Sequence, residues 1–143
     1  MKPFRILLVE DNEGDILLTT QILRDYVEVT DISVKKDGDE AIRYLNEQAA
    51  LGVSYLPDLV LLDINLPKRN GLEVLAHIKS AEALKQTPVI IFTTSSSDRD
   101  VLLSYQNHAN SFVTKPIEID HFLKIMMGIK AFWTETAQLP KCK

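Results

Sequence analysis

Five polar residues stand where short apolar runs end. Ile6-Leu7-Leu8-Val9 stops at Glu10-Asp11, Leu59-Val60-Leu61-Leu62 stops at Asp63, Val89-Ile90-Ile91-Phe92 stops at Thr93, and Ser111-Phe112-Val113-Thr114 stops at Lys115. The runs are too short for helices, and the first three carry no polar break, as in parallel strands buried on both faces. An ionised carboxylate is costly inside a sheet, so each acid belongs at the carboxyl end of its strand, at the mouth of a cleft. That edge is where open α/β sheets bind their ligands. Three carboxylates, a hydroxyl and an ammonium on one rim have a definite chemistry. Crowded carboxylates repel, and a divalent cation relieves them. Oxygen ligands from Asp11, Asp63 and a backbone carbonyl near Asn65 suit Mg²⁺. With that ion in place an Asp63 oxygen can attack a phosphoryl group, while Thr93 and Lys115 donate to the transferring oxygens.

These residues converge only if the intervening elements return the chain to one edge. Ile16, Leu17, Leu18, Ile22, Leu23 and Tyr26 recur at helical spacing from Gly14 onward, with Asp11, Asn12 and Asp15 as caps or first-turn acids. Val29 to Val34 alternates as a strand near a sheet edge does, and Asp37-Gly38 breaks it. Ala41, Ile42, Leu45 and Ala49 then mark a helix of about three turns. Residues 50–57 read as an unusually long connection before the central strand, closed by the X-Pro geometry at Pro57. Leu72, Val74, Leu75 and Ile78 give a third helix, and Val101, Leu102, Leu103 and Tyr105 a fourth. The last helix spans 119–133, with a core stripe of Phe122, Ile125, Met126, Ile129 and Trp133. Leu123, Met127 and Phe132 fall partly outside that stripe, which points to a homodimer through the fourth and fifth helices. Five strands alternating with five helices make an α/β fold, a doubly wound parallel sheet, in one domain over residues 1–133. Residues 134–143 read as a loose polar tail, with no output domain.

The segments Leu8-Val9-Glu10-Asp11, Leu61-Leu62-Asp63-Ile64-Asn65-Leu66-Pro67 with Asn70-Gly71, Phe92-Thr93, and Phe112-Val113-Thr114-Lys115-Pro116 resemble, in type, order and spacing, those of a CheY-type receiver domain. That family is the phosphoacceptor module of two-component signalling, and its fold is a known case of strand order 2-1-3-4-5, so the order is implied by the resemblance. The resemblance further implies that a sensor histidine kinase phosphorylates Asp63. Glu10, Asp11, Asp63 and the Asn65 carbonyl would hold Mg²⁺, directly or through water. Lys115 would pair with the phosphoryl group, Thr93 would swing toward it, and Phe112 would serve as the aromatic switch. Such a protein is a signalling switch rather than an enzyme, although it assists its own phosphoryl transfer and slow dephosphorylation. The connection 51–57 and the Phe132-Trp133 extension are similar to single-domain regulators that partner bacterial phytochrome histidine kinases. Output is then expected through a downstream protein or a histidine phosphotransfer protein, without direct DNA binding.

Composition agrees with this reading. The chain has 143 residues, 45% hydrophobic and 25% charged, enough for one core without disulfides. A net charge of −4 argues against nucleic acid or an anionic membrane as main partner. Cys142 can staple nothing internally, and neither a signal peptide nor a membrane span is evident, which suits the cytoplasm. His77, His108 and His121 lack metal-ligand spacing and read as surface or partly buried residues. An aspartyl-nucleophile phosphohydrolase would need an acid at position 65, where Asn65 stands. A flavin mononucleotide binder using the Thr93–Ser97 hydroxyls would face repulsion from Glu10, Asp11 and Asp63. A pseudo-receiver scaffold that takes no phosphate is the interaction-module alternative, disfavoured by the intact acidic set, Thr93 and Lys115.

Overall fold

The computed structural model describes residues 4–25 and 29–140. Five strands and five helices alternate along the chain: β1 (Phe4–Val9), α1 (Glu13–Asp25), β2 (Val29–Lys35), α2 (Gly38–Leu51), β3 (Leu59–Leu62), α3 (Gly71–Ser80), β4 (Val89–Thr93), α4 (Asp98–Gln106), β5 (Ser111–Thr114) and α5 (Ile119–Ala131). All neighbouring strands pair in parallel, in the order β2-β1-β3-β4-β5. This is the doubly wound five-stranded fold expected from the sequence. Tyr26, the expected end of the first helix, lies outside the described residues.

The unbroken apolar runs have a simple cause. Successive strand side chains point to opposite faces, and both faces of this sheet are covered. Leu7, Val9, Val60, Leu62, Val89 and Ile91 pack beneath α2 and α3 with Leu45, Leu75 and Ile78. Ile6, Leu8, Leu59, Leu61, Ile90 and Phe92 pack on the other face with Ile22, Leu23, Phe122 and Met126. The predicted stripe of α5 lies in this second core, and Leu123 joins its margin instead of standing outside it. Met127 and Phe132 remain exposed.

Local caps set the helix starts. Asp37 accepts from the Glu40 N–H ahead of α2, and Asn70 and Glu73 form a reciprocal capping box ahead of α3. Two segments differ from expectation. Helix α2 continues to Leu51, so the long connection is mostly structured, and a 3₁₀ turn at Val53–Tyr55 fills much of the remainder. Arg5 fastens that turn: its guanidinium donates to the Tyr55 carbonyl at 3.1 Å and lies 5.7 Å from the Tyr55 ring centre, while Asp58 accepts from the Arg5 N–H at 2.9 Å. Of the expected tail, residues 134–140 are described, and part of that stretch is structured. A π-helical turn extends α5 over Phe132–Thr136, and Leu139 and Pro140 reach a small cavity of about 70 Å³ shared with Val53, Leu56 and Pro88. Apolar side chains at 139 and 140 gain from covering that cavity, a contact no local periodicity announces.

Candidate functional site at the carboxyl edge of the sheet

Parallel pairing brings the carboxyl ends of β1, β3, β4 and β5 to one edge, and the expected residues arrive there with them. Glu10 follows β1, Asp63 follows β3, Thr93 ends β4 and Lys115 follows β5. Their side chains do not face open solvent. Glu10 is 3% exposed, Asp63 6%, Lys115 7% and Thr93 fully buried. Asp11 stands exposed beside them.

Two backbone contacts hold Asp63. Its N–H donates to the Val9 carbonyl at 3.0 Å, and its Oδ1 accepts from the Asn65 N–H at 3.2 Å. Gly71 presses on the same turn. A Cβ at position 71 would stand 2.0 Å from the Asp63 carbonyl oxygen and 2.7 Å from Ile64 Cα, so only glycine lets α3 start this close to β3. The Gly71 N–H in turn donates to the Ile64 carbonyl at 2.8 Å. Glycine at 71 therefore positions the turn that carries the buried carboxylate.

Carboxylate oxygens of Glu10, Asp11 and Asp63 come within 4.8 Å of one another, a separation that one cation can span. Together they form an all-oxygen donor set of high negative charge, which fits a hard divalent cation. The Lys115 ammonium sits against this group. It lies 5.7 Å from the Phe92 ring centre and donates to Glu10 Oε1, to Asp63 Oδ2 at 3.2 Å and to Asp15 Oδ2 at 2.9 Å. Burial works against the ammonium, but hydrogen bonds to Glu10 and Asp15 and the charges of Asp63 and Glu10 prevail and hold its pKa above the ordinary lysine value. The Glu10 pKa rises as well, which for a carboxylate favours the neutral form. Burial pushes its pKa up to about 7, reinforced by the Asp63 charge and opposed by Lys115. The two shifts have different causes: burial dominates for Glu10, and the surrounding carboxylates dominate for Lys115.

Asp15 is a first-turn acid of α1, as one of the sequence readings had it, and its carboxylate in addition joins the site. The cap of α1 is Asn12, whose Oδ1 accepts from the Asp15 N–H at 2.9 Å, leaving the Asp15 carboxylate free to meet Lys115. The available signal was weak: an acid five residues beyond Glu10, one turn into a helix that begins at the site.

Thr93 ends β4 at the edge of the constellation, whereas Phe112 lies farther back, beside Ile91 in the strand pairing. Thr93 Oγ1 accepts from the Ser95 N–H at 3.4 Å, and among the described residues no hydrogen bond joins it to Asp63. The β4–α4 loop beyond it is tied down twice. Ser95 Oγ donates to Asp100 Oδ2 at 2.6 Å, and Thr114 Oγ1 donates to the Ser95 carbonyl at 3.2 Å. Phe112 is half-buried against the first core, and its N–H donates to the Tyr105 hydroxyl of α4 at 3.2 Å. The His77 ring meets Asn46 Oδ1 at 2.9 Å, and His108 and His121 are exposed, so the histidines stand apart from the site. Among the described residues no helix is long and apolar enough to cross a membrane.

Comparison with known proteins agrees with this geometry. Residues 6–127 match the response regulator receiver domain. The chain is 41% identical to the response regulator Rcp1 of Synechocystis over 138 residues, covering 96% of this chain and 94% of the relative. It is 40% identical to the probable methanogenesis regulatory protein FilR2 of Methanothrix harundinacea, covering 92% of this chain and 84% of that protein. Among solved structures, the phosphorylated cyanobacterial phytochrome response regulator RcpA superposes with a TM-score of 0.90 at 41% identity, covering 97% of this chain and 99% of that one. The Mn²⁺-bound form of Rcp1 superposes with a TM-score of 0.89 at 40% identity, covering 97% and 100%. With a matching domain over most of its length, the expected strand order and a buried acidic edge facing a lysine, this chain belongs to the response regulator receiver domain family and resembles the phytochrome response regulators within it.

Proposed function

We propose that this protein is a phosphoryl-accepting switch with Asp63 as acceptor. The observation that carries the reading is the buried Asp63 carboxylate, held by Lys115 at 3.2 Å and within 4.8 Å of the oxygens of Glu10 and Asp11. A phosphohistidine on a sensor histidine kinase is the donor. An Asp63 oxygen attacks phosphorus, the N–P bond breaks as the O–P bond forms, and the histidine nitrogen leaves with the electron pair. Mg²⁺, held by Glu10, Asp11, Asp63 and the Asn65 carbonyl, directly or through water, would neutralise charge on the transferring oxygens. Lys115 donates to a phosphoryl oxygen, and Thr93 exchanges its Ser95 partner for another. Removal of the Thr93 hydroxyl from its Ser95 partner alters the β4–α4 loop, which Ser95 ties to Asp100 of α4 and to Thr114 of β5, so the α4–β5 surface shifts population. The protein is a signalling component, and its only chemistry is its own phosphorylation and slow dephosphorylation.

The likeness to phytochrome response regulators supports a phytochrome-type kinase as donor. The receiver unit extends to Trp133, where the α5 core stripe ends. Output passes through protein contacts in the cytoplasm, to a downstream protein or a histidine phosphotransfer protein. Helices α4 and α5 flank the β5 edge, and their exposed Leu102, Tyr105 and Met127 with neighbouring Phe132 favour a homodimer there. Acetyl phosphate with Mg²⁺ should add one phosphate to the wild type on a phosphate-affinity gel, prevented when EDTA is added beforehand and absent from Asp63→Asn. Equal labelling of the two proteins would sink the assignment of Asp63.

A further inference from the structure

We propose that Gly38 and Asp39, at the start of α2, are positioning residues for the divalent cation, because together they grip the loop that presents the Asn65 carbonyl. This role deepens the phosphoacceptor reading and rests on that carbonyl being a metal ligand.

The proposed ligands are not held alike. Glu10, Asp11 and Asp63 stand just past strand ends, and the N–H groups of Glu10 and Asp63 donate to the Lys35 and Val9 carbonyls at 2.9 and 3.0 Å. Asn65 lies farther out, at the start of a loop that runs to Asn70 and is exposed except for the half-buried Leu66. The Gly71 N–H on the Ile64 carbonyl fixes the base of that loop. Its tip is strained. Lys68 has a φ of 67°, in the left-handed region that a non-glycine residue enters at a cost and keeps only where its surroundings insist.

Those surroundings are supplied by Asp37, Gly38 and Asp39. The Gly38 N–H donates to the Pro67 carbonyl at 3.3 Å, Lys68 Nζ lies 3.5 Å from Asp37 Oδ2, and Arg69 Nε donates to Asp39 Oδ1 at 2.7 Å. Lys68 and Arg69 are exposed, so their ion pairs are the smaller part of the grip. Close packing is the larger part. Gly38 is buried, and a Cβ at this position would stand 2.0 Å from the Arg69 carbonyl oxygen and 2.7 Å from its carbon. Backbone atoms cannot swing aside, so a side chain at 38 drives the loop away from α2. The atoms it crowds belong to Arg69, whereas those crowded at Gly71 belong to Asp63 and Ile64. Loss of the grip should therefore weaken the carbonyl ligand and spare the nucleophile.

The test is calorimetric Mg²⁺ binding by the full chain, with acetyl phosphate labelling of Asp63 beside it. Gly38→Ala should bind Mg²⁺ about tenfold more weakly than wild type, the scale on which contacts behind a ligand act on metal sites. The Mg²⁺ needed for half-maximal labelling should rise by the same factor, while the rate at saturating Mg²⁺ stays at the wild-type value. Gly128→Ala is the control: nothing lies within 4 Å of its added Cβ, and its affinity should not change. Arg69→Ala separates grip from charge. Loss of a cation near an acidic site would tighten Mg²⁺ binding through the field alone, whereas loss of the Asp39 contact should weaken it by about twofold. Thermal melts establish which variants are folded, and where Gly38→Ala is not, Arg69→Ala decides for the grip as a whole. Unchanged affinity in Gly38→Ala, or a saturating rate that falls with the affinity, overturns the role of Gly38. Unchanged or tighter binding by Arg69→Ala overturns that of Asp39. Absence of Mg²⁺ binding by the wild type, or equal binding by Asp11→Asn, instead removes the metal site on which both roles rest.

Discussion

Glu10 shares its ammonium with Asp63 and Asp15, and burial pushes its pKa to about 7 from an ordinary 4.5. Between these values the folded protein holds a proton that the unfolded chain has released. By linkage, this group makes the metal-free fold lose stability as pH rises through that window, and the full contribution of the proton is present only below it. A divalent cation requires the same carboxylate ionised, so cation and proton compete. Mg²⁺ affinity measured by calorimetry should therefore fall with acidification, approaching about tenfold per pH unit below pH 7, and level off above it. Glu10→Gln should flatten that dependence. An unchanged slope in the variant would show that another group takes up the proton. The residue types at this site were legible in the sequence because each acid, hydroxyl or amine interrupts an apolar run. Their sharing was not, since nothing local tells a lysine which of several carboxylates it will meet.

At the scale of elements, α3 sets the β3 tip by approaching it closely. Gly71 begins that helix with a 2.0 Å gap where a Cβ would meet the Asp63 carbonyl, and the obstructing atoms are backbone, which cannot swing aside. Gly71→Ala should destabilise the protein by about 3 kcal/mol, read from denaturant unfolding, and weaken Mg²⁺ binding as the Asp63 turn is displaced. A stable variant with normal metal affinity would show that the turn can yield at little cost. The helices themselves were evident from spacing, and the core stripe of α5 appears as read. The connection before β3 was not. Helix α2 runs on to Leu51 through residues whose apolar spacing has already lapsed, because Gly52 and the contacts of Arg5 with the following turn, rather than the pattern, decide where it stops.

The whole molecule presents two covered sheet faces and an unequal surface. Helix α4 buries only Ser104 among its nine residues and leaves Leu102 at 57% and Tyr105 at 49% exposure, and beyond α5 Phe132 stands 51% exposed. If these residues seat a second copy, sedimentation should show a dimer that Leu102→Asp with Phe132→Asp converts to monomer while phosphorylation of Asp63 persists. A wild type monomeric with and without phosphate would remove the homodimer. By itself the sequence determined the sheet, its covering helices and the rim of Glu10, Asp11, Asp63, Thr93 and Lys115, because periodicity and the cost of burying charge act along the chain. Only the tertiary structure decided that Lys115 reaches from the end of β5 to Glu10 and Asp15, 105 and 100 positions earlier. It also decided that Thr93 bonds to Ser95 and that Leu139 folds back near Val53. Those contacts depend on strand order and on which atoms compete for a shared partner, and neither is written in the spacing of neighbouring residues.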